Sequence, residues 1–93
     1  MAGSEDDVVL ELARHYRFQW EPAQNAFVLL YPEGMVKLGG SAGEILKRVD
    51  GTSPVSAIVA DLERSFPGVE LRRDVTDFLA HARDKGWLRV RPA

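Results

Sequence analysis

Two histidines, His15 and His81, are the side chains of this 93-residue chain whose ordinary pKa lies nearest neutrality. General acid–base or nucleophilic catalysis needs such a group held against an orienting partner. His15 stands beside a strand start and His81 in a helix far along the chain, and two lone histidines do not make a site. The chain has no cysteine, which excludes disulfide staples, thiolate zinc sites, iron–sulfur clusters and cysteine nucleophiles together. No His/Asp/Glu cluster offers the three or four closely spaced ligands a metal requires. Asp74 and Asp77, three apart on a helix, could pair as carboxylates, but Asp74 suits the first helical turn, where it meets the positive end of the helix dipole. The run Gly39-Gly40-Ser41-Ala42-Gly43 leads from a strand into a helix, as a phosphate loop does, yet it has no following Lys and no G-x-x-x-x-G-K frame. No catalytic residue, metal or cofactor is expected.

Charge narrows the partners. Twelve Lys plus Arg against fourteen Asp plus Glu give a net charge of −2, and no block of five or six like charges occurs. Arg72, Arg73, Arg83 and Lys85 in the third predicted helix are interleaved with Asp74, Asp77 and Asp84, the pattern of a solvated face. Nothing approaches the roughly 20 apolar residues of a membrane span, and Met1-Ala2-Gly3-Ser4-Glu5-Asp6-Asp7 is acidic where a signal peptide is basic. A cytoplasmic protein without a membrane partner is the expectation.

These residues must be positioned by one small domain spanning 1–93, since single domains usually run to roughly 100–150 residues. Residues 1–7 are expected to be frayed. Val8 to Leu12 form an apolar run that reads as a strand or one helical turn. Tyr16, Phe18 and Trp20 alternate with Arg17, Gln19 and Glu21, the period of a half-buried strand. Turn formers Glu21 to Asn25 lead into an apolar strand, Ala26 to Tyr31, and Pro32-Glu33-Gly34 turns the chain into a third strand, Met35 to Leu38.

Helical spacing then takes over. Ser41-Ala42-Gly43-Glu44 has the form of a capping box, with Ser41 as N-cap and Asp50-Gly51 closing the helix. Ser53-Pro54 opens a second helix, with Ser53 as cap and Pro54 at the first helical position, and Val55, Ile58, Val59, Leu62 and Phe66 as its apolar stripe. A third runs from about Arg72 to Lys85 with Val75, Phe78, Leu79 and Ala82 inward. Gly86 stops it, and Trp87-Leu88 folds back onto the core. The fold class is α+β: a three-stranded antiparallel sheet followed by a three-helix bundle, winged helix-turn-helix-like.

That architecture keeps a nucleic-acid-binding winged helix open as the alternative function. Against it, the second helix sets one Arg against Asp61 and Glu63, a poor complement to phosphates. The third strand is short, comes last in the meander and is followed by a helix, so it leaves an unpaired edge. Lys37 could merely shield that edge. Alternatively the edge accepts an extended peptide as an added strand. The turns at Pro32-Glu33-Gly34 and Gly39-Gly40 also leave a strand-exchanged homodimer open.

The order of motifs Arg17-Phe18-Gln19-Trp20-Glu21, Val28-Leu29-Leu30-Tyr31-Pro32-Glu33-Gly34, Val36-Lys37-Leu38, Ser41-Ala42-Gly43-Glu44-Ile45-Leu46, Val49-Asp50-Gly51, Ile58-Val59-Ala60-Asp61-Leu62, Asp74-Val75, Phe78-Leu79 and Gly86-Trp87-Leu88 resembles the PqqD family. The likeness covers about His15 to Leu88, with Gly39-Gly40 where many members have an Asn. It implies a non-catalytic peptide chaperone of pyrroloquinoline quinone biosynthesis, a leader-peptide recognition element. Such a protein binds the ribosomal precursor peptide PqqA and presents it to the radical-SAM enzyme PqqE. The resemblance also implies a peptide site: Met35, Val36, Lys37 and Leu38 as the receiving strand, Val75 and Leu79 as an apolar floor, and Arg72, Thr76 and Arg83 as a rim.

Overall fold

The computed structural model describes residues 7–91, so all of the end expected to fray except Asp7 lies outside the described residues. Eight elements follow in order: β1 (Leu10–Leu12), β2 (Arg17–Glu21), β3 (Ala26–Tyr31), β4 (Gly34–Lys37), α1 (Gly40–Leu46), α2 (Val55–Ser65), α3 (Arg72–Asp84) and β5 (Leu88–Val90). Strands β2, β3 and β4 form the expected antiparallel meander, with β3 central. Phe18 pairs with Leu29 and Leu29 with Val36, so these three side chains share one face. Together with Phe27 and Leu38 they pack into the core. The aromatics that set the alternation also touch: Phe18 stacks on Phe27 at 4.8 Å, and Trp20 meets Phe27 edge-on at 5.1 Å. Trp20, at the sheet's end, keeps 48% of its surface exposed.

The helices close the core. Helix α1 packs on β3, α2 against both α1 and α3, and α3 against β5. The α1–β3 approach is close because Gly43 has no side chain: a Cβ there would lie 2.8 Å from Phe27 Cδ2. The buried stripes are Ile45 and Leu46; Val55, Ile58, Val59 and Leu62; and Val75, Leu79 and Ala82.

The helix boundaries correct several sequence expectations. The N-cap of α1 is Gly39, and no side chain caps it. Ser41 therefore lies inside the first turn, and Glu44 instead accepts a 2.9 Å hydrogen bond from Arg48. The helix ends at Leu46 and continues only as tighter turns, in which the Arg48 and Val49 N–H groups bond to Ile45 and Leu46. Pro54 is the N-cap of α2, so the helix starts one residue later than expected, and its first N–H, that of Val55, is taken by the Val8 carbonyl. Ser53 caps no helix. Its N–H, its hydroxyl and the Thr52 N–H all donate to the Asp50 carboxylate. Phe66, expected in the stripe of α2, is 45% exposed, because the backbone leaves the helix at that residue.

The ends of the chain hold the largest addition. The run Val8 to Leu12 supplies β1, and its partner is β5, in the register Leu10 to Val90 and Leu12 to Leu88. Glu11 and Arg89 add an ion pair of 2.7 Å across it. The turn into β5 is the glycine stop foreseen at Gly86, which has a φ of 82° and donates its N–H to Arg83, while the Trp87 N–H bonds to Ala82. No described helix is long and apolar enough to cross a membrane.

Candidate functional site

Strand β4 pairs with β3 alone, so one of its edges is open. The ladder decides which residues serve that edge. The Leu38 N–H donates to the Phe27 carbonyl at 3.0 Å, and Val36 lies two residues back, opposite Leu29. Hydrogen-bonded pairs alternate in an antiparallel ladder, so Val36 and Leu38 direct their main-chain groups toward β3. Met35 and Lys37 then turn theirs outward. Their side chains stand on the sheet face opposite the core, where Met35 is 42% exposed and Lys37 is exposed. Of the four strand residues expected at the site, Met35 and Lys37 thus supply the free edge, and Val36 and Leu38 anchor it.

The residues on α3 divide differently. Val75 and Leu79 are 2% and 3% exposed and belong to the core, so they offer almost no free surface. Thr76 is half-buried, its Oγ1 donating to the Arg73 carbonyl at 3.1 Å, whereas Arg72 and Arg83 are exposed. Thr76, Leu79 and Arg83 come together around a cavity of about 30 Å³, and the other walls are Val8, Leu10, Val55 and Ala80. That volume suits roughly one water molecule. None of its lining residues belongs to β4. The cavity thus joins the helix set to the β1 run and α2 and not to β4, and Val8, Leu10 and Val55 are neighbours of α3 that sequence reasoning did not place there. The sequence signal for Val8 and Leu10 is the apolar run before Ala13, and that for Val55 is the apolar stripe of α2.

Arg83 also faces a shallow cleft of about 480 Å³ between α3 and β5, with Ala80, Asp84, Leu88, Arg89 and Val90. A third depression holds Arg48, Asp50, Ser53, Asp61 and Arg64. Its charges satisfy one another: Arg48 bonds to Glu44 and Asp61, and Arg64 bonds to Asp61. Burial disfavours the Arg48 charge, but the bonds to Glu44 and Asp61 outweigh it and raise its pKa. Arg48 and Arg64 in turn hold the Asp61 carboxyl below its ordinary range. This is a clasp joining α1 to α2.

No catalytic constellation appears among the described residues. His15 occupies a left-handed turn, φ 74°, between β1 and β2, a conformation His tolerates better than most residues. His81 is exposed and meets the Trp87 ring edge-on at 5.7 Å. No group of three or more metal-binding side chains occurs among the described residues. What the surface offers chemically is a strand edge with unpaired donors and acceptors.

Comparison with known proteins adds to this geometry. The family model described as coenzyme PQQ synthesis protein D (PqqD) matches residues 26–88. A protein of Azotobacter vinelandii named PqqA binding protein is 53% identical over 81 residues, covering 86% of this chain and 88% of its own. One of the same name from Pseudomonas aeruginosa is 54% identical over 85 residues, covering 90% and 92%. Among solved structures, the solution NMR structure of the PqqD truncation of Methylobacterium extorquens PqqCD superposes with a TM-score of 0.74 at 32% identity, covering 95% of each chain. That domain is described as a functional, stand-alone recognition element for ribosomally synthesized and post-translationally modified peptides.

Proposed function

The chain belongs to the PqqD family, and from that membership we propose that it binds the ribosomal precursor peptide PqqA as a strand added to β4 and presents it to the radical-SAM enzyme PqqE. The observation that carries this reading is the open edge of β4, where Met35 and Lys37 turn their main-chain groups away from β3. A disordered peptide loses conformational entropy when it binds, and a preformed edge keeps the remaining cost low because the protein need not reorganise. Main-chain hydrogen bonds then supply affinity largely independent of sequence, and side chains supply selection. The names of the relatives and the described role of the Methylobacterium domain support the same partner class. The absence of cysteine supports a division of labour, because the iron–sulfur cluster of a radical enzyme needs thiolate ligands that this chain does not have.

On this reading the chain is a non-catalytic scaffold. Met35, Val36, Lys37 and Leu38 form the receiving strand, and Arg72, Thr76 and Arg83 contribute from α3 at the rim. Val75 and Leu79 act from beneath by holding α3 in place, since their side chains are buried. Titration of isotopically labelled protein with synthetic PqqA tests this directly. The amides of Met35 and Lys37 should shift most, with α3 following, and adding PqqE should broaden the complex without releasing the peptide. Shifts gathered on α2 instead would overturn the assignment.

A further inference from the structure

Lys37 is exposed and forms no ion pair among the described residues. Its neighbours across the sheet are Val28 and, beyond it, Gln19, so the row contains no carboxylate. The row beside it reads Arg17, Leu30 and Met35. Among the strand residues of this outer face, Glu21 is the one acid; it stands in the next row, on β2, with β3 between it and Lys37, and it accepts the Ala23 N–H at 3.3 Å. The edge that would receive a strand therefore presents an unneutralised ammonium next to an exposed thioether side chain. Val28 beneath Lys37 is fully buried, so that row holds no pocket and any selection there must act sideways, through charge.

We propose that Lys37 and Met35 select the side chains of the bound peptide: an acidic residue opposite Lys37 and an apolar residue opposite Met35, with one residue between them. The inference rests on strand addition at β4 and deepens it by naming the peptide pattern. Met35 and Lys37 are the residues whose main-chain groups face the newcomer, so the peptide residues set opposite them put their side chains on the same outer face. Being two apart on β4, they face peptide residues that are also two apart. A peptide running antiparallel to β4 reads acid-x-apolar, and a parallel one reads apolar-x-acid. The intervening residue points to the face of Val36 and escapes Lys37 altogether. This gives Lys37 a role beyond discouraging edge-to-edge pairing, because the same charge that repels another basic edge attracts an acidic strand.

The test uses the whole chain and synthetic PqqA in which each Asp or Glu is changed singly to Gln. Lys37→Gln should weaken binding of the parent peptide about two- to fivefold, the usual scale for a cross-strand ion pair, and less so in high salt. Against one acid-to-amide peptide, and only one, Lys37→Gln should have no further effect. Met35→Ser should couple in the same way to an apolar peptide residue two positions from that acid. Equal weakening of every peptide, unchanged binding by Lys37→Gln, or coupled positions not spaced by two would overturn the inference. If instead Met35→Pro binds the parent peptide like the wild type, strand addition at β4 fails with it. Both side chains are exposed, so unchanged thermal melting of Lys37→Gln and Met35→Ser separates these outcomes from misfolding.

Discussion

The alternation along β4 makes a sharp prediction for proline substitution. Proline deletes one N–H and fixes φ near −65°, which an edge strand tolerates where that N–H faces away from its neighbour. At Met35 the N–H faces the open edge, so Met35→Pro should leave the β3–β4 ladder intact and the melting temperature close to the wild type. Its cost falls on the complex. One intermolecular hydrogen bond has a net worth of about 0.5–1.5 kcal/mol, so the dissociation constant should rise roughly two- to twelvefold, and more if the ring crowds the incoming carbonyl. Val36→Pro does the reverse. It removes the bond to Leu29 and leaves that residue's carbonyl unpaired in a fully buried position, at about 1–3 kcal/mol. For a domain of this size each kcal/mol lowers the melting temperature by about 4–8 °C. Circular dichroism melting and calorimetric titration with PqqA of the two variants side by side read both effects. If Val36→Pro melts like the wild type while Met35→Pro does not, the edge parity is reversed. If both variants fold and bind normally, the peptide does not add to β4.

Three further outcomes concern the scaffold. Gly43→Ala should destabilise by about 1–2 kcal/mol, because its Cβ would press on a Phe27 ring already held by Phe18 and Trp20, which outweighs the gain in helix propensity; Gly40→Ala, with open space around it, should not, and chemical denaturation compares the two. Leu88→Ala, at a residue 3% exposed, should cost about 2–5 kcal/mol and lower the melting temperature by about 10 °C or more, which would not occur if β5 were a loose tail. The Ser53 and Thr52 N–H groups hold the Asp50 carboxyl well below its usual range. Since the folded-state value is depressed, the contribution of Asp50 is complete above its unfolded value of about 3.9 and fades as the pH falls toward the folded one. Asp50→Ala should therefore melt below the wild type at pH 7, with the gap closing below about pH 4.

Much of the molecule is legible in local pattern. The alternation at Tyr16 to Glu21, the apolar run Ala26 to Tyr31, the three helical stripes and the glycine stop at Gly86 all depend on residues a few positions apart, which is the range over which propensity and periodicity act. Composition alone also removed thiolate chemistry, and the order of motifs pointed to the PqqD family. What the sequence misjudged lay where a distant partner competes with a local one. Ser41 and Ser53 have the right spacing to cap, but α1 begins at Gly40 with Gly43 packed against Phe27, and the Val8 carbonyl claims the first N–H of α2. Strand β5 was invisible because Glu11 and Arg89, 78 residues apart, have no reason to meet until the core has formed. The same holds at the candidate site. Sequence identified Met35 to Leu38 as a strand. Only its hydrogen bonding to β3 decided that Met35 and Lys37 face the open edge, because the parity of a ladder is a property of two strands. Likewise helical spacing put Val75 and Leu79 on the inward side of α3, but only the packing of the other elements closed over them and left almost none of their surface to serve as a floor.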